Sequence, residues 1–592
     1  MFILGVSCFY HDSAAALLQD GRLVAAAEEE RFSRVKHDYG FPTQAINFCL
    51  RQGGIGRDDL DYVVFYEKPL VKFERILLTM LGTFPRSWRT FGEAMATWFD
   101  QKLWIKNQLM RELDVPAGKV LFTDHHTAHA ASAFFCSPFQ ESAILTVDGV
   151  GEWSTSTMGA GTANWDGQGK NEINLSHELR FPHSLGLLYS AFTAFLGFEV
   201  NEGEYKVMGM APYGQPHYQD KVYKLVKVSE DGSFHLNLDY FSYHYSDSQT
   251  FNQRFVELFG PPRDSQSEFI TTLTHPNVGR AETEGKRNQY YADVAASIQR
   301  VTEDILLKMA NHLYKETGLK KLCLAGGVAL NSVANGRILR ETPFEDLFIH
   351  PAPGDSGGAV GAALYVWHVL LGKPRQFILE HAYLGQEYND GEIRAFLDRK
   401  GIGYETFDDD EALMNRLVID LMAGKVIGWF QGRFEWGPRA LGNRSILADA
   451  RRADMKDIVN SKIKFREPFR PFAPVILEER AGEFFDGLPD PRRQYPARYM
   501  LLVLPWKGGA GERIPAVNHL GTGRLQTLRR EWNPRYYRLV EKFGETTGVP
   551  VLMNTSFNLR GEPIVGSPEN AWNTFSQSGI DLLVLNRFVV RK

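Results

Sequence analysis

Cysteine is scarce. Cys8, Cys49, Cys136 and Cys323 are spread over 592 residues, and no two of them form a CxxC pair. A disulfide scaffold and a cysteine-rich zinc module are therefore excluded, and four free thiols in a reducing cytoplasm are expected. Long apolar runs are missing too. None approaches the roughly 18 residues of a membrane-spanning helix. Residues Met1 to Val6 enter a strand pattern at once, with no basic segment or cleavage site, so no secretion signal is expected. Charge of one sign is not in excess. A formal net charge of -5 leaves no electrostatic footprint for nucleic acid or a membrane surface. Low-complexity sequence is absent. What remains is an ordinary globular composition, 44% hydrophobic and 23% charged. The chain is too long for one core, so two or three domains are expected.

Strand patterns come in two similar groups. Residues 2–8 are apolar, 14–18 and 23–27 follow across turn residues, and Asp20-Gly21 marks a hairpin. Ala143 to Val147, Ser154 to Met158 and Ile173 to Leu179 repeat the arrangement. Two meanders, each followed by helices and further strands, predict a duplicated α/β unit. Actin-like and sugar-kinase-like proteins use that plan, with the ligand between the halves, although fold alone does not give chemistry. Helices are predicted near Thr43–Leu50, over Tyr290–Tyr314 and over Ala412–Ala423. Residues 68–112 read as a helical cover, with an acceptor-binding lid as the alternative. Residues 213–290 read as a loop-rich insertion. Gly372 to Arg375 looks like a domain exit, dividing the chain into 1–375 and 376–592, with a linker running to about Asn389-Asp390-Gly391.

Chemistry-bearing residues concentrate at three places. In Asp124-His125-His126-Thr127-Ala128-His129, His125 and His129 share one face of a helix. Asp148 ends a short strand and Asp355 follows Gly354. Two imidazoles and two carboxylates at strand ends suit Fe(II), Mn or Zn. The zincin peptidase pattern needs Glu after the first His, and His126 stands there. Gly354-Asp355-Ser356-Gly357-Gly358 spells a trypsin-like serine motif, but it opens a helix in an α/β protein. Two strand–glycine–helix units, at Gly326-Gly327 and at Gly354, offer backbone N–H groups to a phosphate. The third place is 433–470, with ten Lys/Arg against five Asp/Glu. Its Arg433, Arg439, Arg444, Lys464, Arg466 and Arg470 are interleaved with Phe, Trp, Pro and Gly, a pattern suited to a small phosphorylated ligand.

These motifs together resemble the antibiotic- and nodulation-factor O-carbamoyltransferases. The resemblance rests on His11 to Ala15, His125 to Ala130, Val147 to Gly149, Gly203 to Gly209, Pro353 to Gly357, Arg433 to Arg444, Lys464 to Arg470 and Asn554 to Asn558. It implies a duplicated actin-like N-terminal domain, like the universal tRNA threonylcarbamoyl transferase. It implies an α+β C-terminal domain like the enzyme that makes threonylcarbamoyl-adenylate. By the resemblance, the C-terminal domain makes carbamoyl-adenylate from carbamoyl phosphate and Mg-ATP. The N-terminal domain then carries the carbamoyl group to a hydroxyl of a small molecule. His125, His129, Asp148 and Asp355 would hold the metal, expected to be Fe(II). Glu204, Lys206, Gly326, Gly327, Asn331 and Gly354 would line the adenylate pocket. Arg439, Lys464, Arg470, Arg524, Asn554 and Ser556 would bind carbamoyl phosphate and ATP. His11 would act as base or positioner for the acceptor, with Lys464 and Arg470 as the catalytic cations of adenylation. A homodimer is implied; a nucleic-acid or membrane partner is not. Two other readings are a tRNA threonylcarbamoyl-type transferase fused to its adenylate synthase, and a non-enzymatic nucleotide-binding regulator.

Overall fold

The computed structural model describes residues 1–100, 102–167, 169–275 and 279–592. Residue 101 of the first expected insertion and 276–278 of the second lie outside the described residues. The chain forms two compact units. One comprises 1–10, 14–24 and 50–378; the other comprises 11–13, 25–49 and 379–592. Residues 11–13 and 25–49, which precede the division expected at 375, thus group with the second unit.

The first unit is built on two five-stranded sheets. One contains β1 (Phe2–Ser7), β2 (Ala14–Gln19), β3 (Arg22–Glu28), β4 (Tyr62–Phe65) and β5 (Val120–Phe122). The other contains β6 (Glu141–Val147), β7 (Ser154–Thr162), β8 (Glu172–Arg180) and two later strands; the hairpin β9 (Val226–Val228) and β10 (Phe234–Leu236) intervenes before β11 (Lys321–Ala325) and β12 (Asp346–Ile349). The strand orders are β3-β2-β1-β4-β5 and β12-β11-β6-β7-β8. In both, an antiparallel meander is extended by parallel strands on its first member. This is one topology used twice, the duplicated α/β unit expected from the two meanders. The central strands are buried on both faces, which is why they read as apolar runs.

Two helices lie against these sheets and fix the site. The His125–Phe134 helix packs on the Asp355–Tyr365 helix so closely that a Cβ on Gly361 would lie 1.8 Å from the Ala128 carbonyl. Only glycine permits this approach. The expected cover at 68–112 is helical, over Pro69–Gly82, Trp88–Asp100 and Ile105–Leu113. The expected helix at 290–314 runs from Gly285 to Thr317. Within 213–290 the described residues contain short helices and the β9–β10 hairpin, more structure than its polar composition indicated.

The second unit carries one mixed nine-stranded sheet: β13 (Glu405–Thr406), β14 (Ile427–Phe430), β15 (Arg444–Asp449), β16 (Ala473–Leu477), β17 (Leu502–Pro505), β18 (Thr522–Leu528), β19 (Val551–Ser556), β20 (Leu582–Leu585) and β21 (Phe588–Arg591). Their order is β13-β21-β20-β14-β15-β19-β16-β18-β17. The Asp410–Met422 and Pro534–Thr547 helices cover one face, with Leu417, Trp429, Val475, Tyr536 and Leu552 in the shared core. No helix among the described residues is long and apolar enough to cross a membrane.

Candidate functional site

The first unit brings all four expected metal ligands together. His125 and His129 sit one turn apart with Nε2 atoms 3.0 Å from each other. Asp148 Oδ2 is 3.1 Å from His125 Nε2 and 3.7 Å from His129 Nε2. Asp355 Oδ1 is 3.5 Å and 3.6 Å from the same two atoms. All four side chains are buried. Donors arranged about a cation at about 2.1 Å stand about 3.0–3.4 Å apart, so the set fits a transition metal with two nitrogen and two oxygen ligands. Electrostatics point the same way. Burial works against a positive charge on His125, but Asp355, Asp148 and Glu67 outweigh it and raise its pKa well above the usual value. A field that favours a proton there also favours a divalent cation.

Several residues that support this set carry no sequence signature. Glu152 accepts the His125 backbone N–H at 3.0 Å, so a carboxylate satisfies the start of the histidine helix. Glu67 lies 3.8 Å from His125 Nδ1 and is neutralised by Lys72 at 2.6 Å. Tyr66 donates to Asp355 Oδ2 at 3.4 Å. Such outer partners orient ligands and tune a metal. His126 points elsewhere: its Nδ1 bonds the Thr146 hydroxyl at 2.6 Å, and burial lowers its pKa to about 3.

Asp148 also reaches the glycine turn. Its Oδ1 accepts the Gly327 N–H at 2.8 Å. Gly326 has φ 90°, and a Cβ there would lie 2.2 Å from the Val147 carbonyl oxygen. The turn therefore needs glycine for both conformation and space. Asn331 caps the helix that follows, accepting from Ala334 N at 3.1 Å, and exchanges amide bonds with Gln299. Glu204 and Lys206 lie on the Glu204–Met210 helix. Glu204 accepts from Ser190, while Lys206 lies over the Phe198 ring. Met208 of that helix meets Ser332 beside Asn331 at 3.7 Å. Gly354 caps the helix that begins with Asp355. Gly327 and Gly354 thus adjoin the metal ligands Asp148 and Asp355, and Asn331, Glu204 and Lys206 lie on other elements of the same unit.

The second unit assembles a separate polar centre. A short π-helical segment and the left-handed Phe465 (φ 46°) turn the Lys464 side chain inward. Its buried ammonium donates to the Ser556 carbonyl, and to Asn558 through its carbonyl at 2.9 Å and side-chain oxygen at 2.7 Å. Burial, with Arg466 and Arg470 nearby, depresses its pKa. Asn554 donates to Gln526 at 2.6 Å and to Ala440 at 3.1 Å. It thereby ties the strand of Arg524 to the loop of Arg439. Arg470 stands 3.6 Å from Glu467. Asn558 and Gln526 were missed at the sequence level; a serine two residues before an asparagine at a strand end was the available signal for Asn558.

Two arginines of the basic segment have another role. Arg444 is fully buried. It donates to the carbonyls of Gln431 and Asn443 and stacks 3.6 Å from the Phe430 centroid. Arg433 donates to Leu384 and Gly385. The expectation that they grip phosphate is corrected: their guanidinium groups satisfy loop carbonyls. His11 also groups with this unit, where its Nδ1 lies 2.7 Å from Asp12.

Glu28 and Arg31 clamp Gly437 in the same unit. Glu28 accepts its N–H at 2.9 Å and Arg31 donates to its carbonyl at 2.6 Å. Burial pushes the Glu28 carboxyl up to about 7, only partly offset by Arg31. Because this value is raised on folding, the stability it contributes is full below about pH 4.5 and lost as pH rises through 7. That loss is on the order of 3 kcal/mol. Glu28→Gln is expected to flatten the fall in melting temperature between pH 5 and 8 and to melt higher than the wild type at pH 8. Parallel pH profiles would refute this.

The first unit thus bears a two-histidine, two-carboxylate cluster beside a glycine turn, and the second a lysine–serine–asparagine centre. The chain belongs to the carbamoyltransferase family and is a transferase: residues 2–364 match the Carbamoyltransferase N-terminus model and 418–592 the Carbamoyltransferase C-terminus model. It is 46% identical over 628 residues to the uncharacterized protein sll1178 of Synechocystis sp., covering 100% of this chain and 96% of the relative. It is 36% identical to nodulation protein NolNO of Sinorhizobium fredii, covering 99% and 79%. It is 37% identical to nodulation protein NolO of Bradyrhizobium diazoefficiens, covering 79% of each. Among solved structures, component A of the Acidaminococcus fermentans (R)-2-hydroxyglutaryl-CoA dehydratase aligns at TM-score 0.32 and 14% identity, over 62% of this chain and 98% of that one. The ROK hexokinase of Thermus thermophilus aligns at 0.27 and 15%, over 63% and 100%.

Proposed function

We propose that this chain is an ATP-dependent O-carbamoyltransferase that makes carbamoyl-adenylate with residues 376–592 and transfers the carbamoyl group to a small-molecule hydroxyl with residues 1–375. The observation that carries this reading is Lys464, a buried ammonium bonded to Ser556 and Asn558 and, among the described residues, to no carboxylate. Burial and two neighbouring guanidinium groups act against its charge. A phosphate dianion offsets both costs, and carbamoyl phosphate and ATP are such ligands.

In the adenylating step, carbamoyl phosphate and water give carbamate and inorganic phosphate. A carbamate oxygen then attacks the α-phosphorus of ATP, and pyrophosphate leaves. Lys464, Arg470 and Arg524 bind and orient the phosphates, while Asn554 and Ser556 supply polar contacts at the strand end. In the transfer step, the acceptor oxygen bonds to the carbamoyl carbon as the bond to AMP breaks, and His11 takes the hydroxyl proton. The Gly327 turn, Asn331, Glu204 and Lys206 bind the nucleotide. A divalent metal held by His125, His129, Asp148 and Asp355, with Fe(II), Mn and Zn as candidates, would supply Lewis-acid polarisation there.

The test is pyrophosphate release. Purified protein is expected to release pyrophosphate from Mg-ATP only when carbamoyl phosphate is present. Release driven by threonine and bicarbonate instead would establish the tRNA-type reading. Carbamoylated products from a panel of alcohols with labelled carbamoyl phosphate would then identify the acceptor.

A further inference from the structure

The turn after β1 folds against the 34–40 loop of the same unit, and the two meet at one carboxylate. His11 Nδ1 lies 2.7 Å from Asp12 Oδ2, and His37 Nδ1 lies 2.8 Å from Asp12 Oδ1. The two rings are 4.8 Å apart. Asp12 (φ 44°) and His37 (φ 54°) both adopt the left-handed conformation. That conformation is costly for a non-glycine residue, and such residues gather at working sites. Ser13 N–H donates to the Asp38 carbonyl at 2.7 Å and His37 N–H to Glu30 Oε2 at 3.0 Å, which holds the two turns in register.

We propose that Asp12 and His37 are positioning residues for His11 in carbamoyl transfer, the shared carboxylate fixing the ring proton of each histidine on Nδ1. The inference rests on the carbamoyl-transfer reading, in which His11 accepts the hydroxyl proton. A carboxylate oxygen accepts, so each Nδ1 facing it donates and each lone pair is left on Nε2. For His37 a second observation agrees: its Nε2 is buried without a partner among the described residues. A proton there would lack an acceptor, which is costly for a buried donor. For His11 the basic nitrogen is then the one turned away from Asp12. When that nitrogen takes the acceptor proton, the imidazolium forms against a carboxylate already bonded to its other side. His37 occupies the second oxygen, so the carboxylate cannot rotate and the His11 ring keeps one plane.

Burial acts to raise the Asp12 pKa, but the bonds from His11 and His37 outweigh it and hold the carboxyl well below the usual carboxylate range. Other charged groups of the packed elements bond elsewhere: Glu28 to Gly437 N–H, Glu30 to the His37 backbone, Arg34 to the carbonyls of Pro563 and Ile564, and Asp38 to Gly40 N–H. Three such side chains also resemble a metal triad. Here, however, each nitrogen sits on its own carboxylate oxygen at hydrogen-bond distance.

The test is ¹⁵N-histidine NMR of the full chain, with ring signals assigned by substitution. Wild type is expected to show His11 and His37 as Nδ1–H rings. Asp12→Asn is expected to lower the His11 proton affinity at least about tenfold and to scramble its tautomer. His37→Asn places an amide donor where Nδ1 was and is expected to preserve the His11 signature, whereas His37→Ala is expected to lose it. Transfer to water, read as AMP released from synthetic carbamoyl-adenylate, is expected to fall about 10²-fold in Asp12→Asn, with its acid limb displaced to lower pH. An Nε2–H His11 in the wild type, an unmoved His11 titration in Asp12→Asn, or a second metal equivalent lost on that substitution would overturn the proposal. The carbamoyl-transfer reading fails separately, on pyrophosphate release, and the ring spectra stand either way.

Discussion

Replacing His125 and His129 together by alanine is expected to remove bound transition metal and to lower carbamoyl transfer at least about 10³-fold, while leaving pyrophosphate release intact. The expectation follows from the donor set. With both imidazoles gone, the remaining carboxylates, Asp148 and Asp355, form a hard oxygen site with little preference for a transition metal. The carboxylates would also lie buried without their partners, so a lower melting temperature is expected. Elemental analysis of protein purified under anaerobic conditions reads the metal directly. Metal content equal to wild type would rule the cluster out as its site. A milder companion is Glu67→Gln, which keeps the side-chain shape but removes the charge near His125 Nδ1. It is expected to weaken metal affinity about 10–100-fold.

Lys464→Met is expected to abolish pyrophosphate release, by about 10³-fold or more, while transfer from supplied carbamoyl-adenylate persists. Methionine fills similar volume, so the change is mainly electrostatic. It removes the ammonium that bridges the Ser556 and Asn558 carbonyls, while the Ser556 hydroxyl still donates to Asn558 Oδ1 at 2.7 Å. Arg470→Ala is expected to give the same separation of steps with less disturbance, since Arg470 sits on a turn beside Glu467. Equal loss of both half-reactions in both variants would contradict two distinct centres. A normal circular dichroism spectrum and melt for Arg470→Ala would separate chemistry from unfolding.

Much of the first centre was legible in sequence because it depends on local periodicity. Histidines four apart must share a helix face, an acid after an apolar run must end a strand, and paired glycines mark turns without side chains. The duplicated strand order was legible for the same reason. The supporting residues were not. Glu67, Tyr66 and Glu152 approach the histidines only through tertiary packing, and an isolated Glu or Tyr carries no period. The basic segment misled in part. Arginines among aromatics mark phosphate sites, but Arg433 and Arg444 show the same composition because loop carbonyls need donors. Sequence cannot say which carbonyls are close. The grouping of 25–49 with the second unit was equally hidden, since the Gly437 clamp spans some four hundred residues.

Asp148 has a thermodynamic consequence. One of its oxygens faces the two imidazoles and the other holds the Gly327 amide, so a shift of this carboxylate toward a cation is also a shift of the turn. Two ligands that meet through one rigid side chain must influence each other's affinity by the same factor. On the proposed function, metal and nucleotide are expected to be mutual effectors: metal titrations with and without AMP should differ by the same ratio as AMP titrations with and without metal. Asp148→Asn, which keeps the shape and weakens the charge, should bring that ratio toward one.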